Sequence, residues 1–235
     1  SSIGLTVWGI VNEWRTQSIS SFRVFVDGDQ ISDIQPEPIQ QDDGAALRLV
    51  HLTDIHLNGL KSVKWTQKLV DKVNGLDPDI IVFTGDFLDT NRDNVVGQIE
   101  TLNCLKSTYK LAVSGNHDFY SNYAVYESVL SDMGFECMDG RVQDLDVNGF
   151  ALQVVGMPDK DHSRFGVPGI KLSELLSSAD PKKGLLMLLR HRPEEVEASI
   201  ELGVDLQLSG HTHGGQLPPW GILVRMAFRF CNGLY

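Results

Sequence analysis

Short motifs that place carboxylates, histidines and an amide after apolar runs are the most informative feature of this sequence. Five of its seven histidines fall inside them. The motifs read Asp54-Ile55-His56, Gly85-Asp86, Gly115-Asn116-His117-Asp118, a single His191, and Gly210-His211-Thr212-His213. A two-metal hydrolytic site needs this chemistry, because one carboxylate bridges two cations while other side chains complete the two coordination shells. The pattern therefore indicates metal-assisted hydrolysis.

Taken singly, the shorter motifs are weak signals. Asp54 and His56 are two residues apart, so both side chains can leave the same face of an extended segment and ligate one cation. The common alternative is a strand-ending aspartate beside a surface histidine. Asp86 is the candidate bridging carboxylate, but a Gly-Asp pair is often only a turn. A single histidine such as His191 is more often hydrogen-bonded in a core than bound to a metal.

The two longer motifs carry more information. Asn116 offers a neutral carbonyl ligand, and His117 can donate a proton near neutral pH. Asp118 is predicted to orient the imidazole of His117. His211 and His213 are two residues apart between glycines, a spacing that lets them coordinate adjacent cations. A polar turn and a histidine-containing glycine loop are the alternatives for these two segments.

Apolar runs alternate with helical patterns and position the motifs. Strands are predicted at 47–52, 79–84, 110–113, 135–138, 142–147, 150–155, 184–189 and 205–208, and helices at 63–73, 95–105, 121–133, 172–176 and 193–202. This order favours an α/β fold, a layered sandwich with mixed sheets. In open α/β sheets, ligands bind beyond the carboxyl ends of strands. Since every motif follows a predicted strand, we expect the motifs to converge.

Residues 1–45 are predicted to form an N-terminal segment and hairpin packed on a main domain of residues 46–235. Residues 22–26 alternate like a strand, Asp27-Gly28-Asp29 indicates a turn, and 30–34 could return as a second strand. Residues 1–11 are apolar but shorter than the roughly 20 residues that span a bilayer. They are compatible with the tail of an anchor, a first amphipathic helix or an ordinary terminal segment. Because the chain starts at Ser1 and not at Met, an upstream segment is expected.

Composition excludes few functions. A net charge of −11 argues against a general nucleic-acid binder, which usually has a basic surface. Bound cations can reverse the local field, so phosphate substrates remain compatible with an acidic chain. Arg164 lies in a polar loop and could meet a substrate phosphate, although a solvated loop is the simpler interpretation.

The order of the motifs resembles that of the calcineurin-like metallophosphoesterase superfamily: D-x-H, G-D, G-N-H-[DE], H and G-H-x-H. The match runs from about 47 to 215, and LTDIHL, TGDFLD and LSGHTHGGQ are most similar to the bacterial membrane-associated branch of YkuE and YaeI. The resemblance implies an α/β/β/α sandwich with two mixed sheets. Family members normally continue through further strands, so the domain is expected either to be truncated at Tyr235 or to be an unusually short member.

The resemblance also implies a site with two divalent metal ions, drawn from Mn, Fe, Zn, Co and Ni. One ion would be held by Asp54, His56, Asp86 and His213, and the other by Asp86, Asn116, His191 and His211. A metal-bridging hydroxide would attack phosphorus. His117, assisted by Asp118, would stabilise developing charge and protonate the leaving group.

The implied activity is hydrolysis of a phosphodiester, pyrophosphate or phosphomonoester, with a nucleotide-sugar lipid as one substrate. Peripheral membrane association and a bacterial cytoplasmic or membrane-associated location are expected by the same resemblance. Two alternatives use the same residues. One is a metal-stabilised interaction scaffold without turnover, and the other is a nuclease or cyclic-nucleotide phosphodiesterase. The sequence shows no basic stripe that favours polynucleotides.

Overall fold

The computed structural model describes residues 3–12, 17–27, 30–36, 47–165 and 169–212, the first three segments as backbone. The strands are β1 (Ile3–Asn12), β2 (Gln17–Asp27), β3 (Gln30–Pro36), β4 (Leu47–Leu52), β5 (Ile80–Thr84), β6 (Tyr109–Val113), β7 (Glu136–Cys137), β8 (Arg141–Val147), β9 (Phe150–Met157), β10 (Leu185–Arg190) and β11 (Leu206–Leu208). The helices are α1 (Val63–Gly75), α2 (Val96–Leu102), α3 (Asn116–Ser121), α4 (Tyr123–Asp132), α5 (Leu172–Leu176) and α6 (Val196–Glu201). Short 3-10 helices cover Arg92–Asn94, Lys160–Phe165 and Pro181–Lys183.

The described strands form two mixed sheets. The larger has the order β3-β2-β1-β4-β5-β6-β7, and the smaller has the order β11-β10-β9-β8. From β4 to β7 neighbouring strands are parallel, and β9, β10 and β11 are also parallel to one another. The carboxyl ends of these parallel strands carry the motifs, which is the arrangement that brings them to one edge.

Three clusters of buried apolar side chains fill the spaces between the layers. The first lies between the larger sheet and helices α1, α2 and α4, the second between the two sheets, and the third between the smaller sheet and α5. In β4, Leu49 enters the cluster between the sheets, whereas Val50 enters the helix-side cluster. Alternate residues of a strand face opposite ways, so a sheet covered on both faces needs a continuous apolar run. The predicted α/β/β/α sandwich is confirmed.

The N-terminal strands extend the larger sheet. Strands β2 and β3 pair in antiparallel fashion, as the turn at 27–29 predicts. Strand β1 pairs with β2 on one side and runs parallel to β4 on the other. An amphipathic helix over residues 1–11 was one of the three alternatives, and it is wrong for 3–11, because these residues form a central strand.

The predicted helix 121–133 corresponds to α4, which starts two residues later at Tyr123, and a separate short helix, α3, precedes it. Asn122 has a φ of 139°, which ends α3, and its side chain accepts a hydrogen bond from the N–H of Ala124 at the start of α4. Helix α3 begins at Asn116, inside a motif for which a polar turn was the alternative interpretation. The motif Asn116-His117-Asp118 therefore lies on a helix with fixed side-chain directions.

Candidate metal centre

Backbone hydrogen bonds join the motif loops at the edge of the sheets. The N–H of Asp54 donates to Gly85 O at 3.0 Å, and the N–H of His56 donates to Asp86 O at 2.8 Å. From the smaller sheet, the N–H of His211 reaches the two carboxylate oxygens of Asp54 at 3.1 and 3.0 Å. The loops after β4, β5 and β11 are thus held together by direct bonds.

Four of the predicted ligands have left-handed backbone conformations. They are Asp54 (φ 52°), His56 (φ 45°), Asp86 (φ 56°) and His211 (φ 69°). A positive φ is uncommon in residues other than glycine and costs on the order of 1 kcal/mol or more, so the surrounding contacts must hold it. Such strain concentrates at functional sites.

Asp86 lies between two groups of candidate ligand atoms. Its Oδ2 is 3.2 Å from His191 Nε2 and 3.6 Å from His56 Nε2. Two sets, Asp54–His56–Asp86 and Asp86–His191–His211, each bring their ligand atoms within 4.8 Å of one another. Asp86 therefore belongs to both sets, as a carboxylate that bridges two cations must.

Asn116 supports the presence of a cation. Its side chain is buried, and its Oδ1 has no hydrogen-bond partner among the described residues. A buried carbonyl oxygen without a partner is costly, and an ion is one accepted explanation. The N–H of His117 donates to Asp86 Oδ1 at 2.9 Å, which ties this end of α3 to Asp86. The donor set of oxygens and imidazole nitrogens fits divalent Mn, Fe, Zn, Co or Ni.

His213, the remaining predicted ligand, lies outside the described residues. Its neighbour His211 is within them, with Nδ1 3.1 Å from His191 Nε2. The two rings are nearly perpendicular, at 75°. Of the seven predicted ligands, the structure therefore brings six to one region.

Asp89 is a site residue that the sequence analysis missed. Its Oδ1 lies 2.9 Å from Nδ1 of His117 and 2.9 Å from Nδ1 of His56. The two rings are themselves edge to face, 4.7 Å apart. The only signal was its position three residues after Asp86 in TGDFLD, and nothing in the sequence distinguishes it from nearby Asp93.

The prediction that Asp118 orients the His117 ring is wrong. The carboxylate of Asp118 has no exposed surface and accepts backbone N–H groups. The donors are Gly115 (2.8 Å), Asp86 (2.9 Å), Phe87 (2.9 Å) and Leu88 (3.1 Å). Asp118 thus holds the loop after β5 against the start of α3, while Asp89 takes the place beside the imidazole. The Asp118 side chain points into the loop after β5 because backbone N–H groups of that loop need an acceptor.

The charges of the site shift one another's pKa values. Burial raises the pKa of Asp86, but hydrogen bonding and attraction from His191 outweigh it and hold the pKa well below its usual range. Burial lowers the pKa of His191, yet the hydrogen bond and charge of Asp86 raise it to about 9. Burial and the neighbouring His191 lower the pKa of His211 to about 4. Without cations, a proton on His191 therefore balances Asp86, and metal binding must release it.

His117 has a different environment from the predicted ligands. The hydrogen bond with Asp89 raises its pKa, outweighing the lowering effect of burial, and the carboxylates of Asp86 and Asp118 add to the increase. Its side chain is 43% exposed, so a substrate can reach it. An accessible imidazole whose protonated form is favoured in this way is suited to donate a proton.

We predict that Asp118→Asn lowers the free energy of unfolding by about 2–4 kcal/mol, because an amide turns its NH2 toward two backbone donors that the carboxylate serves. Urea unfolding of the metal-free protein measures this. Asp93→Asn is the control, since Asp93 is exposed in a 3-10 helix. A loss for Asp118→Asn no larger than for the control would contradict the anchoring role.

Comparisons with known proteins find sequence relatives among metallophosphoesterases. The chain is 34% identical over 191 residues to the uncharacterized metallophosphoesterase Cj0846 of Campylobacter jejuni, covering 80% of this chain and 50% of that protein. It is 30% identical over 202 residues to the uncharacterized metallophosphoesterase YkuE of Bacillus subtilis, covering 80% and 67%. The Haemophilus influenzae NAD nucleotidase structure is similar at a TM-score of 0.46 and 12% identity, covering 89% of this chain and 38% of that one.

The chain spans about half the length of several curated relatives that it matches, at 50% and 57% for the first two. The model of the family described as calcineurin-like phosphoesterase matches residues 47–215, which is most of the chain and includes every motif. The resemblance of the motif order is thereby confirmed, and the chain belongs to the calcineurin-like phosphoesterase family.

Proposed function

We propose that this chain is a dinuclear metal-dependent phosphoesterase that hydrolyses a phosphodiester or pyrophosphate, with phosphomonoesters as further candidates. The observation that carries the proposal is the position of Asp86 in two ligand groups. A single-ion site would not need a second set of nitrogen ligands around the same carboxylate. The unpartnered Oδ1 of Asn116 supports the same conclusion.

In this proposal the residues divide between two ions. Asp54, His56 and Asp86, with His213 from outside the described residues, hold one ion, and Asp86, Asn116, His191 and His211 hold the other. When bound, two divalent cations lower the pKa of water and withdraw charge from phosphoryl oxygens.

The chain's own proton donor is His117. Because its Nδ1 is bonded to Asp89, Nε2 is the ring nitrogen placed to donate to a leaving oxygen. Asp89 fixes the ring and favours its charged form. This pairing favours an enzyme over a metal-stabilised scaffold, since a scaffold has no need of an accessible proton donor. Asp118 acts at a distance by holding the loop that carries Asp86.

Among substrates, a nucleotide-sugar lipid stays a prediction, as do peripheral membrane association and a bacterial cytoplasmic or membrane-associated location. Within the described residues, no helix combines the length and apolar character needed to cross a bilayer. A nuclease or cyclic-nucleotide phosphodiesterase would use the same site with a different surrounding surface, so substrate profiling separates these activities.

We expect about two metal ions per chain by elemental analysis, and hydrolysis of bis-p-nitrophenyl phosphate that stops on chelation and returns with Mn²⁺. The reason is that the attacking water and the phosphoryl charge both depend on the cations. Profiling then compares phosphomonoesters, diesters, pyrophosphates and polynucleotides. Metal-loaded protein that turned over none of these would refute the enzyme, and protein that bound no metal would refute the site.

His117→Asn should lower kcat roughly 10²- to 10⁴-fold while leaving the metal content unchanged, because it removes a proton donor and no predicted ligand. Steady-state kinetics and elemental analysis on the same preparation test this. His162→Asn is the matched control, since His162 is buried beside Asp159 away from the ligand groups. Equal rates for wild type and His117→Asn would exclude the proposed role.

Asp89→Asn should lower kcat by a smaller factor, about 10- to 100-fold, because His117 stays in place but loses the charge that favours its protonated form. In the double variant with His117→Asn, the rate should fall no further than in His117→Asn alone, since the two residues act as one unit. Independent, multiplicative losses would show that Asp89 acts by another route, for example through His56.

A further inference from the structure

A ladder of aromatic rings leads from the core to the surface beside the metal centre. The rings of Tyr123 and Phe119 stack at 4.8 Å and 5°, and Phe119 and Phe165 stack at 5.9 Å and 20°. Phe119 is buried in α3, whereas Phe165 is 51% exposed although it packs on Phe119. The ladder therefore ends in a ring that still offers contact area to a further planar group.

Tyr120 joins this outer ring to the proton donor. Its ring centroid is 5.8 Å from that of His117 and 6.1 Å from that of Phe165, and its side chain is 54% exposed. Its hydroxyl donates to Asp161 Oδ2 at 2.8 Å, and Asp161 is buried and bound by Arg192 Nη2 at 2.9 Å. These bonds hold the Tyr120 ring, while Phe165 is positioned by its stacking on Phe119.

We propose that Tyr120 and Phe165, called here the aromatic platform, bind the nucleobase of a nucleotide ester whose phosphate occupies the metal centre. The proposal rests on the proposed function and extends it to a substrate class. Two nearly parallel rings already stack below Phe165, and a base would continue that ladder. The platform adjoins His117, so the base would lie on the side of the phosphate where the proton is donated.

The surroundings of the platform favour a base over an acyl chain. Arg164, the residue before Phe165, forms an ion pair with Asp161: its Nη1 is 3.1 Å from Asp161 Oδ1, and its side chain is 71% exposed. The structure therefore places the guanidinium beside Asp161, whereas the sequence analysis considered a contact with the substrate phosphate. Lys160, on the same short 3-10 helix as Phe165, forms an ion pair of 2.7 Å with Glu194, which lies outside that helix. A planar ring with polar edges matches aromatic faces bordered by charged groups, whereas an acyl chain needs an apolar enclosure.

The test compares AMP with ribose 5-phosphate by titration calorimetry into the full chain loaded with Mn²⁺. Both carry a 5′-phosphate, and only AMP carries a base. We expect AMP to bind about tenfold more tightly, a difference of about 1.4 kcal/mol. Phe165→Leu should bring the ratio of the two dissociation constants close to one, and Phe165→Tyr should preserve it.

Ile200→Ala, which changes another exposed apolar side chain on α6, should leave the ratio unchanged. Tyr120→Leu provides a second variant if Phe165→Leu unfolds, as checked by circular dichroism. Equal affinity of the wild type for AMP and ribose 5-phosphate would overturn the platform and leave the phosphoesterase standing. A ratio of the two dissociation constants that neither Phe165→Leu nor Tyr120→Leu changed would do the same. Failure of both compounds to bind would overturn the platform, and hydrolysis of bis-p-nitrophenyl phosphate by the same preparation would leave the phosphoesterase standing, whereas its absence would overturn both. Octyl phosphate that bound more tightly than AMP, equally to wild type and Phe165→Leu, would also overturn it in favour of an acyl site.

Discussion

The buried carboxylate of Asp118 is the fixed point of the site geometry. It accepts four backbone N–H groups, three of them from the loop that follows β5. That loop carries Asp86 in a left-handed conformation, which by itself is unfavourable. The hydrogen bonds to a carboxylate are stronger than those to a neutral group and offset this strain. Asp86 belongs to both groups of candidate ligands, so the geometry of the centre depends on Asp118, which is not itself a predicted metal ligand.

The electrostatics of the centre favour cations for the same reason. Asp54 and Asp86 are buried close together, and burying like charges is costly unless they are paired. Without metal the balance comes from His191, whose pKa is raised to about 9 by Asp86. In the proposed site, a divalent ion would replace that proton with a larger charge and would give the Asn116 oxygen a partner. Binding the folded state alone, it would stabilise the fold by mass action.

The parts of the structure set by local patterns were predictable. Strands β4, β5 and β10 follow from apolar runs that need burial on both faces, and the motifs follow from their positions after those strands. What failed depended on tertiary contacts. The partner of His117 is Asp89 and not the adjacent Asp118. The backbone N–H groups of the loop after β5 bind the Asp118 carboxylate and so turn it away from the imidazole. The start of α3 inside a polar motif was missed because Asn and Asp also favour turns.

Helix α3 explains how one motif serves several tasks. Successive residues of a helix point about 100° apart, so five neighbours cover its whole circumference. Asn116 has a buried, unpartnered Oδ1, His117 meets Asp89, Asp118 enters the loop after β5, Phe119 joins the buried ring ladder, and Tyr120 lies at the surface. In an extended segment these side chains would alternate between only two faces. The short helix is therefore what allows a ligand, a proton donor, a structural anchor and an exposed ring to follow one another in sequence, and it connects the metal centre directly to the surface that a substrate meets.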